Sequence, residues 1–142
     1  MLYGLIGEKL GHSYSCEIHE KIADYHYELR EIPREELADF FAKRDFKGIN
    51  VTIPYKEAVM PLLDEISDTA KAVGAVNTVV NRGGRLYGYN TDLAGMTAML
   101  RRAGIDPSGK KALVLGTGGT SKTARAVLKS LGAASITLVS RS

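Results

Sequence analysis

The sequence predicts an α/β protein: a mixed α/β/α layered unit over residues 1–104, then an incomplete parallel strand–helix–strand unit over residues 105–142. Three observations carry this. Short apolar runs ending at Gly or Pro alternate with amphipathic stretches through the first hundred residues. A turn-rich break, Asp106-Pro107-Ser108-Gly109, then interrupts the pattern. Beyond it come an apolar strand, a glycine loop, an amphipathic helix and a second apolar strand.

In chain order, Leu2 to Ile6 stops at Gly7 and Ile49 to Ile53 stops at Pro54, so both read as buried strands ending in loops. Between them, Ile18 to Ala23 suits a helix and Tyr25 to Ile32 alternates as a strand does. Pro33 with Arg34, Glu35 and Glu36 opens a second helix, because proline fits the first turn and the helix dipole favours carboxylates there. Leu37, Phe40 and Phe41 form its buried stripe. Glu57 to Leu63 and Asp68 to Val73 read as short helices, and Ala75 to Val80 as a strand. Arg82-Gly83-Gly84-Arg85 is a tight turn into Leu86 to Tyr89, a hairpin signal. Thr91 caps the next helix, whose Leu93, Met96, Met99 and Leu100 recur at helical spacing until Gly104 stops it. After the break, Lys111 to Leu115 is a strand, a helix runs from about Lys122, and a last strand begins near Ser135. A parallel sheet of so few strands leaves a bare edge and an uncovered face, so the second unit reads as incomplete and the chain as truncated.

Composition narrows the function classes. The 142 residues are 44% hydrophobic, enough for one buried core or a small domain plus part of another. Nineteen basic and sixteen acidic residues leave a net charge of +3 with no polybasic run, which argues against nucleic acid as a partner. Cys16 is the only cysteine, so no intrachain disulfide can form and the cytoplasm is the expected compartment. No stretch approaches the roughly 18 apolar residues of a membrane span, and the N-terminus reads as a first strand rather than a signal peptide.

Glycines in Gly116-Thr117-Gly118-Gly119-Thr120-Ser121 follow Leu113-Val114-Leu115 and precede a helix with Ala124, Val127, Leu128 and Leu131 on one face. Such a loop lets the backbone approach a pyrophosphate, whose charge the N–H groups at the helix start can hold. Residues 116–123 also read as a P-loop with serine at its second required glycine, where the loop needs an unhindered backbone. At the end of a second strand, an arginine such as Arg141 suits the 2′-phosphate of NADP rather than the bare ribose of NAD.

Polar residues recur just after buried runs: Gly11-His12-Ser13-Tyr14-Ser15, Asn50 to Lys56, Asn77-Thr78 and Asn90-Thr91-Asp92. Side-by-side strands would gather them at one rim, a site for a polyhydroxylated anion. Singly, each has a structural explanation: Ser15 as a helix cap, Asn77-Thr78 as polar sheet positions, Asp92 as a helix-start acid. A Lys close to an Asp can deliver a proton to a ketone oxygen and be reloaded, which makes Lys56 and Asp92 the candidate catalytic pair; a surface salt bridge is the alternative. His12, His19 and His26 recur every seven residues, but the segment changes from loop to helix to strand, so no metal site is expected.

With these residues in view, the whole chain resembles the shikimate dehydrogenases. The blocks are GHSYS at 11–15, GINVTIPYK at 48–56, GAVNT at 74–78, GYNTDLAG at 88–95 and LGTGGTSKTA at 115–124. The resemblance implies a substrate domain followed by a Rossmann-like NADP-binding domain with the active site between them. It also implies reversible reduction of 3-dehydroshikimate to shikimate with NADPH, a step toward chorismate and the aromatic amino acids. Carried over, Ser13 and Ser15 bind the substrate carboxylate, while Thr52, Lys56, Asn77 and Asp92 meet the ring hydroxyls and the reacting oxygen. Lys56 is the proton donor, supported by Asp92. Gly116, Thr117, Gly118, Gly119 and Thr120 wrap the pyrophosphate, Ser140, Arg141 and Ser142 begin the 2′-phosphate loop, and Asp68 is a weak cofactor contact.

Two departures stand out: Cys16 replaces a proline usual in the family, and Glu20 follows His19 where the family has asparagine. Family members are also longer, with a substrate-binding tyrosine and a glutamine in their C-terminal half, so the chain alone is expected to be an inactive fragment. An NAD-preferring quinate or shikimate dehydrogenase, a non-catalytic shikimate-binding module and a nucleotide-triphosphate-binding fragment remain as alternatives, and a homodimer is open.

Overall fold

The computed structural model describes residues 2–11 and 13–140. Six strands form one mixed sheet: β1 (Tyr3–Gly7), β2 (Glu28–Glu31), β3 (Gly48–Val51), β4 (Glu65–Ile66), β5 (Thr78–Arg82) and β6 (Arg85–Tyr89), in the order β2-β1-β3-β5-β6-β4. β1 pairs in parallel with β2 and β3, and β4 with β6, whereas β5 is antiparallel to both its neighbours. The helices are α1 (Ser15–Ile22), α2 (Leu37–Lys43), α3 (Tyr55–Ala58), α4 (Asp68–Val73) and α5 (Asp92–Arg102). A second, parallel sheet joins β7 (Lys111–Leu115) to β8 (Ser135–Val139) around α6 (Gly119–Ser130).

The alternation of β1 decides the layering. Ile6 belongs to the larger core with Leu37, Phe41, Tyr55, Val59 and Val79, while neighbouring Leu5 packs on the other face with Leu10 and Tyr27. The result is the expected α/β/α sandwich followed by an incomplete Rossmann-like unit. In that unit α6 buries Val127, but Leu113 and Leu115 remain 63% and 77% exposed on the opposite face.

Several expected boundaries move. α1 begins at Ser15, three residues early, because Ser13 Oγ accepts from the Ser15 N–H and starts the turn ahead of the apolar residues. The predicted strand at Tyr25 to Ile32 shrinks to Glu28–Glu31, and the helix opened by Pro33 begins as a 3₁₀ turn over Arg34–Glu36. Pro61 splits the expected helix after Glu57 into α3 and a 3₁₀ turn over Met60–Leu62. The strand expected from Ala75 begins only at Thr78, and the two-residue β4 has too short a pattern to read. The hairpin turn is as expected, with Gly83 at φ 60 and Gly84 at φ 87.

Among the described residues no helix is long and apolar enough to cross a membrane.

Candidate active site

β1, β3 and β6 end at the same edge of the sheet at which antiparallel β5 begins. The four segments singled out as polar therefore meet there, at the carboxyl ends of parallel strands where open α/β sheets hold ligands. They line a cleft of about 880 Å³ with Ser13, Ser15, Asn50, Thr52, Lys56, Asn77 and Asp92 on its wall. After β3 the chain is pinned: the Thr52 N–H donates to the Ile6 carbonyl at 3.0 Å, and the Thr52 carbonyl accepts from the Tyr55 N–H at 2.9 Å. That turn brings Lys56 into the first turn of α3.

Lys56 Nζ lies 2.6 Å from Asp92 Oδ2, with the two side chains 14% and 31% exposed. This is no loose surface pair, because the carboxylate is held from behind. Asn77 Nδ2 donates to Asp92 Oδ1 at 2.8 Å and to Thr91 Oγ1 at 2.9 Å. Asn77 Oδ1 accepts from the Thr91 N–H at 2.9 Å and from Thr78 Oγ1 at 3.1 Å. Asp92 also sits at the start of α5, where the dipole favours a negative charge. Ser13 and Ser15 present adjacent hydroxyls, Oγ to Oγ 3.0 Å, at the other side of the cleft.

Thr91 takes a role other than the one expected. Thr91 makes no side-chain cap to α5; its hydroxyl is turned to Asn77, and the cap falls to Asn90, whose Oδ1 accepts from the Leu93 N–H at 3.1 Å. Asn50, the first residue of the polar segment expected at the rim, lines the cleft as well, between buried Ile49 and Val51 in β3.

The glycine loop stands beside this cleft. α6 begins at Gly119, not near Lys122, and a Cβ on Gly119 would come 3.8 Å from Lys56 Cδ. Lys122 pairs with Glu57 at 2.6 Å, tying α6 to α3. Gly116 has φ 103, which demands glycine; Gly118 and Gly119 have no such need, and a Cβ on them would meet nothing or an ordinary contact. Gly118 also supplies no side-chain cap to α6. The loop thus offers open space in front of a helix N-terminus, which fits a pyrophosphate. The P-loop reading is not favoured here, because Lys122 is engaged with Glu57 and Thr123 is buried at 1% exposure.

Of the remaining expected residues, Asp68 sits apart. Asp68 is fully exposed at the start of α4, paired with Lys71 at 3.9 Å, and does not line the cleft. Ser140 follows β8, while Arg141 and Ser142 lie outside the described residues. Of the three histidines, His12 also lies outside them, and no metal-ligating cluster of three or more groups occurs among the described residues.

Comparison with known proteins gives the family. Residues 5–79 match the family described as the shikimate dehydrogenase substrate binding domain. A shikimate dehydrogenase (NADP(+)) of Clostridium perfringens is 46% identical over 99% of this chain and 55% of its own length. The crystal structure of shikimate dehydrogenase 1 from Peptoclostridium difficile superposes with a TM-score of 0.95 at 41% identity, covering 99% of this chain and 55% of that one. The Thermus thermophilus enzyme in complex with NADP(H) and shikimate gives 0.86 at 36% identity, covering 97% and 56%. The chain thus spans about half the length of the curated relatives it matches.

Asn77 is 8% exposed and satisfies partners on two elements. Asn77→Ala is expected to lower stability by about 1–3 kcal/mol in urea denaturation, because the Thr91 N–H and the Thr78 hydroxyl lose their acceptor. No change in the midpoint would show that water replaces the amide.

Proposed function

The chain belongs to the shikimate dehydrogenase family, and on that premise we propose that it carries the substrate side of an NADP-dependent dehydrogenase interconverting 3-dehydroshikimate and shikimate. The observation that carries this reading is the Lys56–Asp92 pair, 2.6 Å apart in a hydroxyl-lined cleft against which a glycine loop is packed. In this reading residues 1–104 form the substrate domain and residues 105–142 open the NADP domain.

Reduction of a ketone builds negative charge on its oxygen. The Lys56 ammonium donates its proton to that oxygen, and in the reverse direction neutral Lys56 takes the proton from the hydroxyl. Asp92 holds the ammonium in place and helps reload it; Asn77 keeps the carboxylate aimed by occupying its other oxygen. Ser13 and Ser15 receive the substrate carboxylate, and Thr52 and Asn77 the ring hydroxyls, so that the polar rim reads the molecule's whole outline. Gly116, Thr117, Gly118, Gly119 and Thr120 hold the pyrophosphate, and Ser140, Arg141 and Ser142 the 2′-phosphate; NADPH bound there supplies the hydride. The cytoplasm is the compartment of this reading. A homodimer belongs to the same reading, and a monomeric mass in light scattering would remove it.

Calorimetric titration of the complete enzyme with shikimate is expected to show saturable binding, and heats no larger than dilution would count against the site. In the complete enzyme, Lys56→Ala is expected to cut turnover by about 10²–10⁴-fold while shikimate still binds; unchanged turnover would sink the assignment of Lys56. Gly119→Ala separates ligand from fold. At a position with ordinary φ the alanine is expected to leave stability unchanged or raise it by about 0.4–1 kcal/mol, while NADPH affinity falls. An unaffected NADPH affinity would remove the loop from the cofactor site.

A further inference from the structure

Asp92 is the end of a longer run of hydrogen bonds, and the run begins outside the cleft. Tyr27 precedes β2 on the face opposite the main core, 6% exposed, and is not part of the cleft wall. Its hydroxyl donates to Asn50 Oδ1 at 2.7 Å. Asn50 Nδ2 donates to Thr78 Oγ1 at 3.2 Å and to the Asn77 carbonyl at 3.4 Å. Thr78 Oγ1 donates to Asn77 Oδ1, Asn77 Nδ2 to Asp92 Oδ1, and Lys56 closes the series on Asp92 Oδ2.

From these contacts we infer that Tyr27 is a positioning residue of the site: its hydroxyl sets the orientation of the Asn50 amide and heads a series of hydrogen bonds that all donate toward the Asp92 carboxylate. The direction matters. An amide that turned over would set its oxygen against the Asn77 carbonyl and leave its nitrogen to the phenol, so with Tyr27 donating only one orientation satisfies every partner. Bonds that donate in one sense polarise one another, and a chain ending on an anion is strengthened along its length.

Tyr27 is itself held rigidly. The His19 ring lies flat on it, centroids 3.8 Å apart and planes 12° apart, and His19 Nδ1 is hydrogen-bonded to the Tyr25 hydroxyl. Cys16 Sγ donates to the Tyr27 carbonyl at 3.4 Å, which gives the cysteine found in place of the family's proline a role on the same aromatic. Burial pushes the Tyr27 phenol up from its ordinary value, the neighbouring Tyr25 and Cys16 adding to this and Ser15 opposing it. It therefore stays a donor across the neutral range.

The inference rests on the reading of the cleft as the shikimate site, but its first test does not need substrate. The chain has four asparagines, Asn50, Asn77, Asn81 and Asn90, and no glutamine, so its side-chain amides give four resonance pairs in a ¹⁵N-edited NMR spectrum. In Tyr27→Phe the Asn50 and Asn77 pairs are expected to move while those of Asn81 and Asn90, which bond elsewhere, stay. An unmoved Asn50 pair, or four pairs moving together as in general loosening, overturns the inference. The second test is shikimate affinity in the complete enzyme: Tyr27→Phe is expected to weaken it about three- to tenfold, and to have no further effect in an Asn50→Ala background. Additive losses would overturn the coupling, whereas failure of the unsubstituted complete enzyme to bind shikimate would fault the reading of the cleft and leave the resonance test standing.

Discussion

The site hangs on one buried amide. Asn77 is 8% exposed, and a polar side chain so placed costs free energy unless its donors and acceptor are all used. Here they are used on both neighbours: the amide binds Thr91 and Asp92 after β6 and Thr78 at the start of β5, and its backbone N–H donates to the Tyr89 carbonyl at 3.0 Å. The demand for saturation fixes where α5 starts relative to β5. That in turn fixes the Asp92 carboxylate, and with it the ammonium of Lys56. An apolar side chain at position 77 would leave Asp92 with a single partner and freedom to turn.

The antiparallel strand makes this arrangement possible. Had β5 run with its neighbours, its end and not its beginning would lie at the cleft, and residue 77 would sit at the far edge. Because β5 and β6 form a hairpin, with Thr78 opposite Tyr89, the residues flanking them, Asn77 and Asn90, meet across the rim. Asn90 completes the joint by donating to the Ala75 carbonyl at 2.9 Å and capping α5 through its other end. One tight turn at Gly83-Gly84, far from the cleft, thereby sets the register of the residues that line it.

Much of this could be read from the residues in order. The hairpin, the strand at Leu2 to Ile6 and the pairing of Lys56 with Asp92 follow from turn chemistry and from polar residues at the ends of apolar runs. What could not be read depends on tertiary partners. Thr91 looks like a cap because threonine usually is one; only Asn77 across the hairpin diverts its hydroxyl, and nothing local signals that. β4 is two residues long, below any periodicity, and exists because Asp64 and Ser67 bond to the backbone of β6. Asn50 is visible as a polar residue at an element's end, but its partner Tyr27 is distant in sequence and reached only through the β2–β1–β3 strand order.

The glycines of the loop before α6 divide by cause. Gly116 is needed by its own backbone, at φ 103, and any fold with this turn would keep it. Gly118 and Gly119 are not, since their dihedral angles suit any residue and a side-chain carbon there would clash with nothing in the chain. Gly118 is the N-cap, where glycine is an ordinary choice, but Gly119 lies in the first turn of α6, where glycine is conformationally poor, so its presence there leaves room for something outside the chain to come close. The same helix end is anchored toward Lys56 by the Glu57–Lys122 pair, so whatever lies against the loop also faces Lys56. In the proposed reading the opening before α6 and the polar cleft are then two halves of one site, joined at Lys56.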